Sequence, residues 1–277
     1  MKNRWRKVLY ENHDKPDNYI DETFLDDLKK NLYVRKYDLW TVIRESGVVT
    51  QQISCVCIFV LLFIYMKEDK ISPQMLVAIS LATTFVGYLF FCWLSASELR
   101  RSAWADLKSA GAFLTLSFGL SPILMTLTST ISTDTVYAMT VAMLLTNLLF
   151  HDYGANAAIV SQSLSLNAAI FSAVCLASRL PTRWHAFATL ALALQIFALW
   201  PSLRICLKQK HWLNQCLTTL LLTVLSVVGM ATISFTGAVL LALLHLFISF
   251  GCSTWLIALQ PLKNNIHGPW DEAVISN

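Results

Sequence analysis

The sequence predicts an all-α integral membrane protein with about eight transmembrane helices, preceded by a cytosolic amphipathic helix. Three observations carry that expectation. Apolar residues make up 56% of the 277 and charged residues only 14%, with a mean hydropathy of +0.55; a soluble domain carries roughly a quarter charged residues. Between Ser46 and Leu262 the charges are confined to short islands, leaving uncharged runs at 46–66, 71–97, 109–133, 135–151, 153–178, 184–203 and 211–262. A spanning helix needs about 20 mostly apolar residues, because every backbone N–H and C=O exposed to hydrocarbon must be bonded inside the helix. Seven runs give at least seven spans, and the last is long enough for two with a tight reversal near Thr232–Gly237.

The elements follow in order. Residues 1–47 form a cytosolic N-terminal region with 10 Lys/Arg against 9 Asp/Glu. That balance excludes a simple polybasic lipid anchor, and the segment lacks the basic lead into an apolar core that marks a signal peptide. Inside it, "NYIDETFLDDLKKNLYVRKYDLW" sets Phe24, Leu28 and Leu32 at i, i+4 and i+8, with acids preceding bases. This is the order an amphipathic helix prefers along its dipole. Interfacial lipid, a partner subunit and the chain's own loops are the three candidates to cover its apolar stripe. The polytopic bundle, 48–259, divides into spans near 48–66, 75–95, 109–129, 135–151, 154–178, 185–203, 213–232 and 237–259, and residues 260–277 form a cytosolic tail. Pro122 in "GLSPILM" removes a backbone hydrogen bond and predicts a kink in the third span.

Charge orients the chain. With the N-terminus inside, 17 of the 21 Lys/Arg face the cytosol and only Lys67, Lys70, Arg179 and Arg183 lie opposite. Both termini are therefore expected in the cytosol. The net charge of +4 is spread over loops, without the basic stripe or aromatic array that nucleic acid requires, so nucleic acid is excluded as a partner. None of the seven cysteines forms C-x-x-C and most lie at membrane depth; they read as small apolar packers.

The fifth span is the polar one. If a helix starts near Asp152, then Asp152, Asn156, Ser163 and Asn167 fall within about 60° of one another, at about 100° per residue. On the far side Gly154, Ala158, Ser161, Ser165 and Ser172 form a band of small residues that admits a neighbouring backbone. The stripe is either satisfied by packing or opens a polar recess for a lipid headgroup or partner. His245 in the eighth span reads as a packing histidine.

Catalytic signatures are missing: the chain has no D-x-D, E-x7-E, G-x-G-x-x-G, P-loop, H-E-x-x-H or G-x-S-x-G. No cofactor, metal or catalytic residue is expected. Three polar clusters remain, "WADLKSA", "HDYGANA" and "NIHGPWDEA", all assigned by the topology to cytosolic helix ends or the tail. The candidates for lipid-headgroup or partner contact are therefore Trp104, Asp106, Lys108, Asp152, Tyr153, Asn156, Ser163, Asn167, His267, Trp270 and Asp271.

The stretches "KVLYE", "PDNYID", "WADLKSA", "STDTVYAM", "DYGANAAIVSQSLSLNAAIFSAVCLASRLP", "QIFALWP" and "NIHGPWDEA" resemble the PIG-C family, whose members are subunits of phosphatidylinositol N-acetylglucosaminyltransferase. The resemblance runs from about Lys7 to Ala273 and is weakest in the first two spans and in "SASELRRSA". It implies a multispan protein of the endoplasmic reticulum. The complex it implies moves GlcNAc from UDP-GlcNAc onto phosphatidylinositol at the cytosolic face, the first step of glycosylphosphatidylinositol (GPI) anchor synthesis. Catalysis in that family is attributed to PIG-A, with PIG-H, PIG-Q, PIG-P and PIG-Y as further partners. The expected function is a non-catalytic subunit that scaffolds the complex and helps present the lipid acceptor. The competing expectation is a transporter or lipid scramblase that uses the polar stripe of the fifth helix. If Asn156 serves headgroup or partner recognition, Asn156→Leu should lower transferase activity or assembly in microsomes while the protein stays inserted and abundant; unchanged activity and complex recovery would assign it to packing.

Overall fold

Hydrocarbon leaves the backbone of such a chain little choice but helix. The computed structural model describes residues 29–30, 37–94, 103–126, 130–154, 160–210, 212–262 and 266–267. Among them, eight helical rods follow in sequence: α1 (Leu39–Lys67), α2 (Pro73–Leu94), α3 (Ala103–Thr126), α4 (Thr133–Phe150), α5 (Gln162–Ala177), α6 (Arg183–Lys210), α7 (Trp212–Ala231) and α8 (Phe235–Leu262). Six of these, α1, α2, α4, α6, α7 and α8, are long and apolar enough to cross a membrane. α5 is apolar but only 16 residues long, and α3 carries Pro122 inside its 24 residues.

Short side-chain caps set several of the helix starts. Ser132, Ser161, Thr182 and Ser234 each accept a hydrogen bond from the backbone N–H three residues on, satisfying a donor that the first turn leaves free. The reversal predicted near Thr232–Gly237 is a turn at Thr232 and Ile233 followed by the Ser234 cap.

Trp40–Ser253 form one compact unit. Its core joins Phe59, Phe63 and Met66 of α1 to Ala169, Ala173 and Leu176 of α5 and to Phe187, Leu190 and Phe197 of α6. The Phe59 and Phe197 rings meet edge to face at 5.3 Å. The packing face of α5 is made of small residues, with Ser165, Ala168, Ala169, Ser172 and Ala173 all buried, and α6 buries four alanines, Ala186, Ala188, Ala191 and Ala193. Small side chains let backbones approach where lipid supplies no hydrophobic drive. At Gly229 in α7 an added Cβ would lie 3.0 Å from Leu61 Cδ1 of α1, so the absence of a side chain permits that crossing.

The centre of the bundle is polar. On α1, Thr50, Gln51, Gln52 and Ser54 are all at most 1% exposed, and between them they reach three neighbouring helices. Gln51 Nε2 donates to Thr219 Oγ1 at 2.8 Å and to Thr218 Oγ1 at 3.2 Å on α7. Gln52 Nε2 donates to Asn147 Oδ1 of α4 at 2.9 Å, and Asn147 Nδ2 donates in turn to the carbonyl and hydroxyl oxygens of Ser165 on α5, both at 2.9 Å. Ser54 Oγ lies 3.3 Å from His245 Nε2 of α8 and 3.4 Å from Ser226 Oγ of α7. Helix α1 is thus a hub whose amide N–H groups and hydroxyls are answered from α4, α7 and α8, and through Asn147 from α5, while Gln51 Oε1 and Gln52 Oε1 are buried without a hydrogen-bond partner.

Two expectations need correction. The amphipathic helix does not run through Lys29 and Lys30: these form a two-residue strand, β1, paired antiparallel with β2 (Ile266–His267), Lys29 opposite His267. Their backbone groups are satisfied across strands instead of along a helix; Phe24, Leu28 and Leu32 lie outside the described residues. The fifth helix starts at Gln162, not near residue 152 or 154, because the Ser161 side chain caps it there. Asp152 therefore shares no helical stripe with Ser163 and Asn167 on α5. The expected small-residue face agrees with the structure at Ser165 and Ser172, which are buried.

Replacing Asn147 with Leu strands Gln52 Nε2 and removes the donor to the Ser165 carbonyl and hydroxyl oxygens, while Ser165 Oγ keeps its own bond to the backbone carbonyl of residue 147. Asn147→Leu should destabilise the bundle by about 1–2 kcal/mol in mixed-micelle unfolding, and Gln52→Leu combined with it should cost less than the two changes summed. Strict additivity would mean that the bond contributes nothing.

Candidate functional site

The site is built where α4 ends. Helix α4 stops at Phe150 and the chain turns extended at His151 (ψ 142). Tyr153 donates its hydroxyl to the Leu148 carbonyl at 2.6 Å, taking one of the acceptors that a helix end leaves open. Asp152 Oδ1 accepts from Gly154 N at 2.8 Å, and Gly154 has φ +84, a left-handed conformation that glycine adopts without a Cβ clash. Ser161 N donates to Phe150 O at 3.1 Å, so the connector returns to its starting point before α5 begins.

The opposite wall comes from α6. A π-helical turn at Gln195–Leu199 precedes Trp200 and Pro201; proline has no N–H to give, and a widened turn accommodates its ring. Gln195 anchors this turn to α2, accepting from Ser80 Oγ and donating to Thr83 Oγ1, both at 2.6 Å. Beyond it Phe197, Ala198, Pro201, Ser202, Arg204 and Ile205 share one face. With His151 and Asp152 of the connector, and Gln162, Ser163, Ser165 and Leu166 of α5, this face encloses a recess of about 270 Å³.

Arg204 dominates its chemistry. The side chain is 6% exposed. Its Nη2 donates to His151 Nε2 at 3.0 Å and to the Asp152 carbonyl at 3.4 Å, while Nη1 is buried with no hydrogen-bond partner. To accept that bond, His151 must be the neutral tautomer protonated on Nδ1. Burial, reinforced by the neighbouring guanidinium, pushes its pKa down to about 4, in agreement. Burial likewise pushes the Tyr153 phenol up to about 12. At the rim, Lys208 Nζ pairs with Glu45 Oε2 at 2.5 Å and ties the last turn of α6 to the start of α1; being well solvated, that pair contributes little stability.

Of the residues singled out from sequence, Asp152 and Ser163 meet in this recess, and Tyr153 sets its ring edge-on to the His151 ring at 5.1 Å. Asn167 sits on the exposed side of α5 and does not line it. Trp104, Asp106 and Lys108 occupy the first turns of α3, with Lys108 exposed. His267 lies in β2; Asn156, Trp270 and Asp271 fall outside the described residues.

A family model described as phosphatidylinositol N-acetylglucosaminyltransferase matches residues 5–271. The chain belongs to that family. It is 52% identical to the C subunit of phosphatidylinositol N-acetylglucosaminyltransferase of Homo sapiens, over 98% of this chain and 93% of that protein. It is 39% identical to a putative C subunit of the same transferase in Dictyostelium discoideum (99% and 80% covered) and 33% identical to the GPI2 subunit of Schizosaccharomyces pombe (99% and 87%). No solved structure matches it. The stretches "DYGANAAIVSQSLSLNAAIFSAVCLASRLP" and "QIFALWP", which carry the family resemblance, include Asp152, the α5 wall and Phe197, Ala198 and Pro201 of the recess; His151, Ser202, Arg204 and Ile205 lie just outside them.

Sequence reasoning missed Arg204, His151, Gln162 and Ser202. The uncharged runs place Arg204 in a loop after a span ending at residue 203, whereas α6 continues to Lys210. The available signal was the spacing of Pro201, Arg204 and Lys208, which puts all three on one helical face.

His151 supplies a pH test. Its folded-state pKa lies below its ordinary value, so its contribution to stability is complete above about pH 6.5 and is lost as the pH falls through 4, by on the order of 2–3 kcal/mol. Thermal unfolding of the purified protein between these limits should show that loss, and His151→Gln, which retains an acceptor for Arg204 but cannot titrate, should flatten it. An equally steep profile in the variant would assign the effect to other groups.

Proposed function

We propose that this chain is a non-catalytic membrane subunit of the complex that transfers GlcNAc from UDP-GlcNAc to phosphatidylinositol, the first step of GPI-anchor synthesis. It scaffolds that complex and helps present the lipid acceptor. The carrying observation is the relationship to the transferase's C subunits along nearly the whole chain. The small-residue faces and the polar hub of α1 make a bundle suited to holding partners, and the recess at the α4–α5 connector offers polar groups at a helix end where a headgroup would sit.

The finer reading follows the sequence. We infer eight crossings, with α3 and α5 completing the six that length and composition support, and the division into 1–47, 48–259 and 260–277. Both termini face the cytosol, by the Lys/Arg distribution, in the endoplasmic-reticulum membrane that the family resemblance implies. The partners are those the family resemblance implies: PIG-A as the catalytic subunit, with PIG-H, PIG-Q, PIG-P and PIG-Y. Asp152, Tyr153 and Ser163 are proposed as headgroup contacts; Trp104, Asp106, Lys108, Asn156, Asn167, His267, Trp270 and Asp271 are proposed as partner or interfacial contacts.

The transporter or scramblase reading lacks support. It required one continuous helical stripe from Asp152 to Asn167, and the Ser161 cap breaks it.

Microsomes from cells lacking this chain should form no GlcNAc-phosphatidylinositol, re-expression should restore it, and the purified chain alone should transfer nothing. Transfer by the isolated chain would overturn the non-catalytic reading.

A further inference from the structure

We propose that Arg204 binds the phosphodiester of an anionic phospholipid in the recess beside the α4–α5 connector. This inference rests on the lipid-presenting role and gives it a named anchor. An arginine in this position is always charged, and a buried charge without a partner is costly enough that proteins pair it or bind an ion to it. Here the guanidinium is more than nine-tenths buried, and Nη2 spends its bonds on two neutral acceptors, His151 Nε2 and the Asp152 carbonyl. Nη1 is buried and unpartnered. Among the described residues no carboxylate forms an ion pair with it, and the neighbouring segment 155–159, Ala-Asn-Ala-Ala-Ile, contains none.

The surroundings favour phosphate. The recess is lined by Gln162 and Ser163 in the first turn of α5, where backbone N–H groups lack helical partners and the helix dipole is positive. Ser202 adds a hydroxyl from α6. Asp152, on the same wall, engages the Gly154 amide through one oxygen and acts on the Arg204 charge through space without a direct bond to it; its carboxylate suits the hydroxyls of a polyol headgroup beyond the phosphate. Ile205 lines the recess yet is 45% exposed, so the apolar surface of α6 begins at its edge. A lipid, with its phosphate in the recess and its chains along that surface, satisfies both characters; a free anion satisfies only one.

The test uses the full chain, purified in mild detergent and placed in phosphatidylcholine nanodiscs doped with phosphatidylinositol, with bound lipid read by native mass spectrometry. Inorganic phosphate and UDP-GlcNAc serve as soluble competitors. Wild-type protein should retain phosphatidylinositol over phosphatidylcholine, and Arg204→Gln should lower that retention about tenfold, as expected for loss of a charge-assisted contact. Ala198→Leu, which fills the recess and leaves Arg204 in place, should do the same, so the inference stays testable if the arginine variant misfolds. Retention unchanged in both variants would overturn it, as would displacement of the lipid by inorganic phosphate or UDP-GlcNAc at comparable concentration, which would make the site one for a soluble anion. Recovery of transferase subunits with the tagged chain is scored in parallel. Unchanged lipid retention with intact partner recovery sinks the anchor alone, whereas failure of the wild type to recover partners sinks the subunit role.

Discussion

The structure depends on buried amide donors finding acceptors on neighbouring helices. Gln51 and Gln52 stand in the middle of a 29-residue helix, fully removed from solvent, and an unbonded amide there would cost more than most single packing contacts return. Their donors go to α7 and α4, and through Asn147 the second reaches α5. Apolar side chains pack almost equally well against lipid or protein. These hydrogen bonds, unlike them, have direction and select which helices sit beside α1 and in what register.

The recess is a consequence of that arrangement. Asn147 lies one turn before the end of α4, so fixing it against Gln52 and Ser165 also fixes where α4 stops and α5 starts. The connector between them is held by its own polar groups: the Tyr153 hydroxyl on Leu148, Asp152 on Gly154, and the Ser161 amide on Phe150. Across the gap, the π turn before Pro201 aligns Arg204 with His151. Neither wall alone encloses the recess; it exists because the connector and the first turn of α5 meet the Arg204 face of α6.

Much of this was legible in the sequence, and the failures have identifiable causes. Charge islands and uncharged runs located α2, α4, α7 and α8 to within a few residues at both ends, whereas α1 and α3 begin earlier than the uncharged runs, α5 begins later and α6 runs on past its charge island to Lys210. The small-residue face of α5 was legible at Ser165 and Ser172. The amide stripe was not, because wheel geometry assumes a helix already running at Asp152, whereas the Asp152 contact to Gly154 and the Ser161 cap use those residues as a connector. Arg204 was hidden by its neighbours: next to Lys208 and Lys210 it looks like one more basic loop residue. Gln51 and Gln52 leave no mark, since two uncharged residues barely alter the hydropathy of a long apolar run.

By itself the sequence determined that the chain is helical with rods long and apolar enough to cross a membrane, roughly where several of them lie, and which family it joins, because runs of apolar residues and long stretches of shared sequence are both one-dimensional properties. Only tertiary structure decided which polar residues are consumed in holding helices together and which are left with unmet capacity. Hydrogen-bond satisfaction is a property of pairs far apart in the chain, such as Gln52 with Asn147 or Arg204 with His151, and no local pattern records whether a donor's last position is filled.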